Sequence, residues 1–148
     1  MERYKHTQVG WAIIGTVLIV LAIIYIVAGI RFGNITFGLL TAVSSVVFIV
    51  CMLFARMTVI LDEEYLRVNF AINIIKIKFR LSDIISCKVV KNPWYQPWGI
   101  HYGGGVWVYN VSGYDTVEIT IRNGGIHRIG TNDQDNLETV ISSLLEKK

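Results

Sequence analysis

The chain has 148 residues, 53% of them hydrophobic, and its mean hydropathy of +0.49 is high for a domain that lives in water. The formal charge is +3, yet from Arg56 onward 11 Lys and Arg stand against 10 Asp and Glu, a net of +1, which excludes the strongly basic footprint of a nucleic-acid binder. Cys51 falls in an apolar stretch and Cys87 in a strand-like one, so a disulfide framework is excluded and both read as small buried hydrophobes in a reducing compartment.

In chain order, residues 1–8 form a short charged lead containing Glu2, Arg3 and Lys5. Residues 9–30 then contain no charged side chain, and neither do residues 35–55. At about 1.5 Å per residue each segment can cross a hydrocarbon core of about 30 Å, so two transmembrane helices are predicted, joined by a tight extracytoplasmic turn at residues 31–34. A signal sequence is the other reading of the first segment, but its apolar run is long for one and no Ala-x-Ala site follows. Arg3, Lys5 and Arg56 flank the outer ends of the pair against Arg31 in the turn, which places both termini in the cytoplasm. Trp11, Phe32 and Phe37 suit interfacial anchoring. Gly38, Ala42 and Ser45 form a small-residue stripe where the first span or another subunit can approach closely. The spans hold hydroxyls such as Thr16, Thr41 and Ser44 but no ionisable group of the kind that lines a proton or ion path.

Over residues 56–148 the period changes from helix to strand. Residues 57–61 are a short apolar strand, Asp62-Glu63-Glu64 a charged turn, and residues 65–70 alternate Leu66, Val68 and Phe70 with Tyr65, Arg67 and Asn69. Ile75, Ile77 and Phe79 then alternate with Lys76, Lys78 and Arg80, giving one core face and one cationic face. A strand at residues 84–91 precedes an aromatic loop over residues 92–105 with both prolines. Strands follow at 106–111, 115–122 and 126–130, the last two joined by a hairpin at Asn123-Gly124-Gly125. A final helix is capped by Thr131 or Asn132, has Asp133 and Asp135 in its first turn and Lys147 and Lys148 at its end, and carries an apolar stripe of Leu137, Val140, Ile141 and Leu144. Seven antiparallel strands and one amphipathic helix predict a bent sheet or open barrel plugged by that helix.

This order of elements resembles a pleckstrin-homology-like (PH-like) domain. The segments Trp98-Gly99-Ile100, Trp107-Val108-Tyr109-Asn110-Val111-Ser112-Gly113, Val117-Glu118-Ile119 and Arg128-Ile129-Gly130-Thr131-Asn132-Asp133 are similar to small bacterial membrane proteins with a cytoplasmic PH-like domain. The resemblance implies a membrane α-hairpin followed by a mainly β domain in the bacterial inner membrane, serving as a binding or assembly module.

Two surfaces are candidates for binding. Arg67, Lys76, Lys78 and Arg80 can meet anionic lipid, each charge near such a surface being worth about 1 kcal/mol, or can be a solvated outer face that deters edge pairing. Three carboxylates at residues 62–64 would repel a phosphate, so the head-group site usual in eukaryotic PH domains is not expected there. Trp94, Tyr95, Trp98 and Tyr102 can dip into head groups, accept a partner, or fold back to close the barrel. Gly103-Gly104-Gly105 lacks the Lys-Ser or Lys-Thr ending of a phosphate loop. His6, His101 and His127 show no metal spacing, and no nucleophile elbow or zinc-protease helix is present. Asp83 with His101 or His127 is a conceivable acid and base pair without a pocket around it, and Asp83 reads better as a turn cap. No catalytic, cofactor or metal site is therefore expected. The expected partners are membrane lipid and a protein partner or second copy, and not nucleic acid.

Overall fold

The computed structural model describes residues 2–31, 34–71 and 73–146. Strand β1 (Tyr4–Val9) leads into helices α1 (Trp11–Arg31) and α2 (Asn34–Phe54), which are followed by β2 (Arg56–Leu61), β3 (Tyr65–Phe70) and β4 (Ile75–Arg80). A 3-10 turn at Leu81–Asp83 opens the second half, which contains β5 (Ile84–Lys91), β6 (Gly99–Gly103), β7 (Val106–Asn110), β8 (Asp115–Ile121), β9 (Ile126–Gly130) and α3 (Gln134–Leu145). Phe32 and Gly33 of the expected turn, the side chain of Phe37, and Lys147 and Lys148 lie outside the described residues.

Sheet 1 has the order β1-β2-β3-β4 and is antiparallel throughout. The lead expected over residues 1–8 is thus largely a strand. Its inward positions are Tyr4, His6 and Gln8, so the apolar period-two signal is missing from the sequence, and pairing with β2 makes the strand, from Tyr4 opposite Leu61 to Val9 opposite Arg56. Each inward polar side chain finds a partner, although Gln8 Oε1 accepts no hydrogen bond among the described residues: the Tyr4 hydroxyl donates to Asp133 at 3.0 Å, His6 Nε2 meets Asn132 Oδ1 at 2.6 Å, and Gln8 Nε2 donates to the Ser112 carbonyl at 3.0 Å. Val9 consequently belongs to β1, and the first helix begins two residues later than expected.

Sheet 2 has the order β5-β8-β9-β7-β6 and contains a parallel pair, β7 with β9. The expectation of seven antiparallel strands is therefore corrected to nine strands among the described residues, one pair of them parallel. The physical reason lies in the order: β8 pairs with β5, leaving a slot beside β7 that β9 fills, and a strand antiparallel to β8 must run parallel to β7 there. The additional β6 pairs with β7 through a hairpin closed by Gly104 and Gly105, whose φ values of 60° and 81° are left-handed.

Alternation on sheet 1 turns Met57, Val59, Leu61, Leu66, Val68 and Phe70 inward, where they meet Val117, Ile119 and Ile129 of sheet 2 in one core. Each such side chain contributes about 1.5–3 kcal/mol of apolar burial. Helix α3 packs on β5 and β8, burying Leu137 and Ile141 fully, with Val140 and Leu144 partly covered. Its cap differs from the expected Thr131 or Asn132. Asp133 holds the cap position without a side-chain capping bond, because its carboxylate accepts from Tyr4 and from Asn136 Nδ2 at 3.2 Å, while Thr131 Oγ1 accepts the Asp133 amide.

The helices pack on each other along facing seams. On α1 the less exposed residues are Ile14, Val17, Leu21, Tyr25 and Ala28, and on α2 they are Leu40, Ser44, Phe48 and Cys51, both spaced by three and four. By length and composition α1 can cross a membrane, whereas the described apolar part of α2, Gly38–Phe54, is shorter.

Candidate functional site

The outer face of sheet 1 is ordered by charge along its strands. At the foot of the helix pair Arg56 lies opposite Val9; one row on, Thr58 sits between Thr7 and Asn69, and Asn69 faces Lys76. The next row carries Lys5, Ile60, Arg67 and Lys78, and the last brings Tyr65 opposite Arg80. Beyond it, furthest from the helices, lies the turn Asp62-Glu63-Glu64. The carboxylates are thus held away from the foot, and they draw two cations with them: Arg3 pairs with Glu63 at 2.9 Å, and Arg67 pairs with Asp62. Arg67 also lies 5.9 Å from the Tyr65 ring centre. Burial raises the Asp62 carboxyl, but the amides of Glu64 and Tyr65 and the Arg67 charge outweigh it and hold it below the usual carboxylate range.

Of the four cations predicted on this face, Arg67 is therefore engaged within the domain. Lys76, Lys78 and Arg80 are exposed and, among the described residues, make no ion pair, as do Lys5 and Arg56. Sequence reasoning treated Lys5 and Arg56 only as flanks of the apolar segments; their charge beside those segments was the available signal, but only β1 pairing with β2 brings them onto one face.

Two grooves meet at Arg56. One, of about 260 Å³, runs along the outer face and is lined by Lys5, Thr7, Thr58, Ile60, Asn69 and Asn73 with Arg56. The other, of about 440 Å³, lies between the first turns of α1 and the last turns of α2 and is lined chiefly by Trp11, Ile14, Phe48, Ile49 and Met52, again with Arg56. Neither lining contains a carboxylate. Both differ in this from a groove at the far end, where Glu2, Asp62, Glu63 and Glu64 gather.

The aromatic set separates into three environments. Trp94 and Tyr95 are exposed at 81% and 71% and meet edge to face at 6.0 Å. Trp98 is half-buried as the loop returns to β6. Tyr102 is exposed near the opposite end of the β6–β7 hairpin and packs on Trp107 at 5.2 Å, continuing a row of rings through Tyr109 and His127 to Phe79. The loop is tied down at Asn92, whose amide donates to the Tyr114 carbonyl at 2.7 Å and whose side chain accepts from Arg128 at 3.3 Å. That anchor is close to the foot of the helices, because the adjoining turn touches β1 through Ser112 and Gln8.

The stripe Gly38, Ala42 and Ser45 is exposed, and nothing lies within 4 Å of a Cβ built on Gly38. It is not the seam used by α1, which centres on Ser44 one position away. Burial pushes the Cys87 thiol up to about 12, aided by the charge of Glu138, and burial lowers the His127 imidazole, which the Tyr109 hydroxyl meets at 3.2 Å. Asp83 takes the Ser82 hydroxyl at 3.3 Å and hydrogen-bonds to neither His101 nor His127 among the described contacts. Among the described residues no three His, Cys, Asp or Glu side chains converge as a metal site. Compared with known proteins, the sequence matches no family model, and no curated protein matches it significantly.

Proposed function

We propose that this chain is a membrane-anchored, non-enzymatic binding and assembly module, in which α1 and α2 cross the bacterial inner membrane as a pair and a PH-like domain works at the cytoplasmic surface. One observation carries the anchoring: β1 and β2, the strands on either side of the helices, are hydrogen-bonded along their whole length. A chain that leaves through α1 must then come back, and α2 is the return. Removal of α1 as a signal sequence would strip β1 from sheet 1, which favours the span. Arg3, Lys5 and Arg56, all on the domain side of the helices, against Arg31 at their far end favour a cytoplasmic domain.

The PH-like reading is supported by two sheets around one core with a C-terminal helix packed on sheet 2. The parallel pairing of β7 and β9 is a departure from the antiparallel pattern expected for it. Binding of a protein partner or a second copy is favoured by the exposed pair Trp94 and Tyr95 and by the uncovered stripe Gly38, Ala42 and Ser45, since exposed aromatic and small-residue surfaces of this kind are used at interfaces. Alkaline extraction of native membranes followed by gentle detergent release and mass measurement tests the proposal. Retention in the membrane and a particle heavier than one chain are expected. A strictly monomeric particle overturns the assembly reading, and release at alkaline pH overturns the anchor.

A further inference from the structure

The two grooves that meet at Arg56 have opposite character and a common rim. Toward the helices the lining is apolar, from Trp11 and Ile14 to Phe48 and Met52. Toward the domain it is cationic and rich in hydrogen-bonding groups, with Lys5, Thr58 and Asn73 sharing the lining with Arg56. Resting on the reading that α1 and α2 are embedded, the rim lies where helices leave the hydrocarbon, at the level of lipid phosphates.

We infer that this junction is a binding site for one anionic glycerophospholipid, with an acyl chain along the apolar groove and the phosphate held by Arg56 and Lys5. The size suits it, since the apolar groove of about 440 Å³ is within the range of small-molecule sites. Charge complementarity selects the occupant. Arg56 and Lys5 make no ion pair among the described residues, no carboxylate lines either groove, and Lys76 is one row away. An arginine guanidinium presents a planar fork that matches a phosphate in two hydrogen bonds, and a lysine adds a second charge from the side. The apolar groove requires a chain, which a free phosphate or a soluble anion does not supply. A zwitterionic lipid fills the same groove but adds a cationic head group near Arg56 and Lys5, so the site prefers a net negative one.

The test uses the full chain, delipidated in mild detergent and titrated with phosphatidylglycerol or phosphatidylcholine of identical chains, with bound lipid counted by native mass spectrometry. One phosphatidylglycerol per chain is expected. Arg56→Gln lowers its affinity about tenfold, the loss of one charge-assisted contact, and removes the preference over phosphatidylcholine. Ile49→Trp, which fills the apolar groove from an exposed position, weakens both lipids. Lys78→Glu, on the same sheet but outside both linings, leaves binding unchanged. Equal binding of the two lipids, wild-type binding by Arg56→Gln or Ile49→Trp, or equal affinity for glycerol phosphate without chains overturns the site. Alkaline extraction separates the two levels: a chain that stays in the membrane but shows no lipid preference overturns the lipid site alone, whereas a chain that is released overturns the anchor beneath it.

Discussion

Glu118 is 6% exposed on β8, where Arg128 Nε reaches it at 2.8 Å and Lys88 Nζ at 3.0 Å. Burial raises its carboxyl, and the hydrogen bonds and charges of Arg128 and Lys88 overcome that and hold it below the usual carboxylate range. A lowered folded value means that the stabilisation is complete above the ordinary carboxylate pKa of about 4 and is lost as pH falls through the folded value. Arg128→Ala leaves a buried charge without its main partner and is expected to cost about 3 kcal/mol at pH 7, read from urea unfolding followed by tryptophan fluorescence. Lys88, 65% exposed, is screened by solvent, and Lys88→Ala is expected to cost no more than about 1 kcal/mol. The acid-side fall in stability should be smaller in Arg128→Ala than in the parent; an unchanged fall would assign it elsewhere. Cys87 gives a second residue-scale expectation. With its thiol pushed up to about 12, it should resist iodoacetamide at pH 8 until the chain is unfolded. Rapid labelling of the folded protein would contradict the burial argument.

Among the elements, the junction between β1 and α1 is the narrowest point. A Cβ at Gly10 would stand 2.5 Å from the Val111 carbonyl oxygen, which is backbone and cannot swing aside. The Gly10 amide also donates to the Ala55 carbonyl at 2.7 Å, tying the entry of α1 to the exit of α2. Gly10→Ala is therefore expected to destabilise the chain by about 1–3 kcal/mol through overpacking. Gly15→Ala, on α1 with nothing within 4 Å of its Cβ, should be neutral or slightly stabilising. Equal unfolding midpoints for the two variants would show that the foot is not a close contact. The helix seam makes a parallel contrast: Ser44→Leu inserts bulk into the α1–α2 contact and should weaken the pair, whereas Ala42→Leu faces outward and should leave it intact while reducing any self-association through the small-residue stripe. Crosslinking of the detergent-extracted chain distinguishes these outcomes.

For the whole molecule, the consequence of inserting two helices into one hairpin is rigidity. Gly10 and Ala55 are the only residues between helix and strand on either side, so the β domain has no linker on which to swing, and its outer face and aromatic loop are held at fixed positions relative to the helices. The exposed loop tip can then act as a presented surface. Replacing Trp94 and Tyr95 together with Ser should leave the unfolding midpoint within about 0.5 kcal/mol of the parent, because both rings are outside the core. The same change should lower the mass of the particle extracted from native membranes; an unaltered particle would remove the tip from the assembly surface.

Seven of the nine strands among the described residues, the two apolar segments and the C-terminal helix were legible in the sequence, because each announces itself by local hydrophobic periodicity. The cationic alternation of Lys76, Lys78 and Arg80 was legible for the same reason. Strand β1 was not, since its inward His6 and Gln8 are made acceptable by partners more than a hundred residues away. Nor was β6, a short glycine-bounded strand that exists through its pairing with β7. By itself, then, the sequence determined which segments are apolar, which alternate, and where charge is concentrated. Only the tertiary structure decided that β9 lies between β7 and β8, that Ser44 and not the Gly38 stripe meets α1, and that Lys5 and Arg56 share the outer face of sheet 1. These depend on pairing between distant segments, which leaves no local period to read.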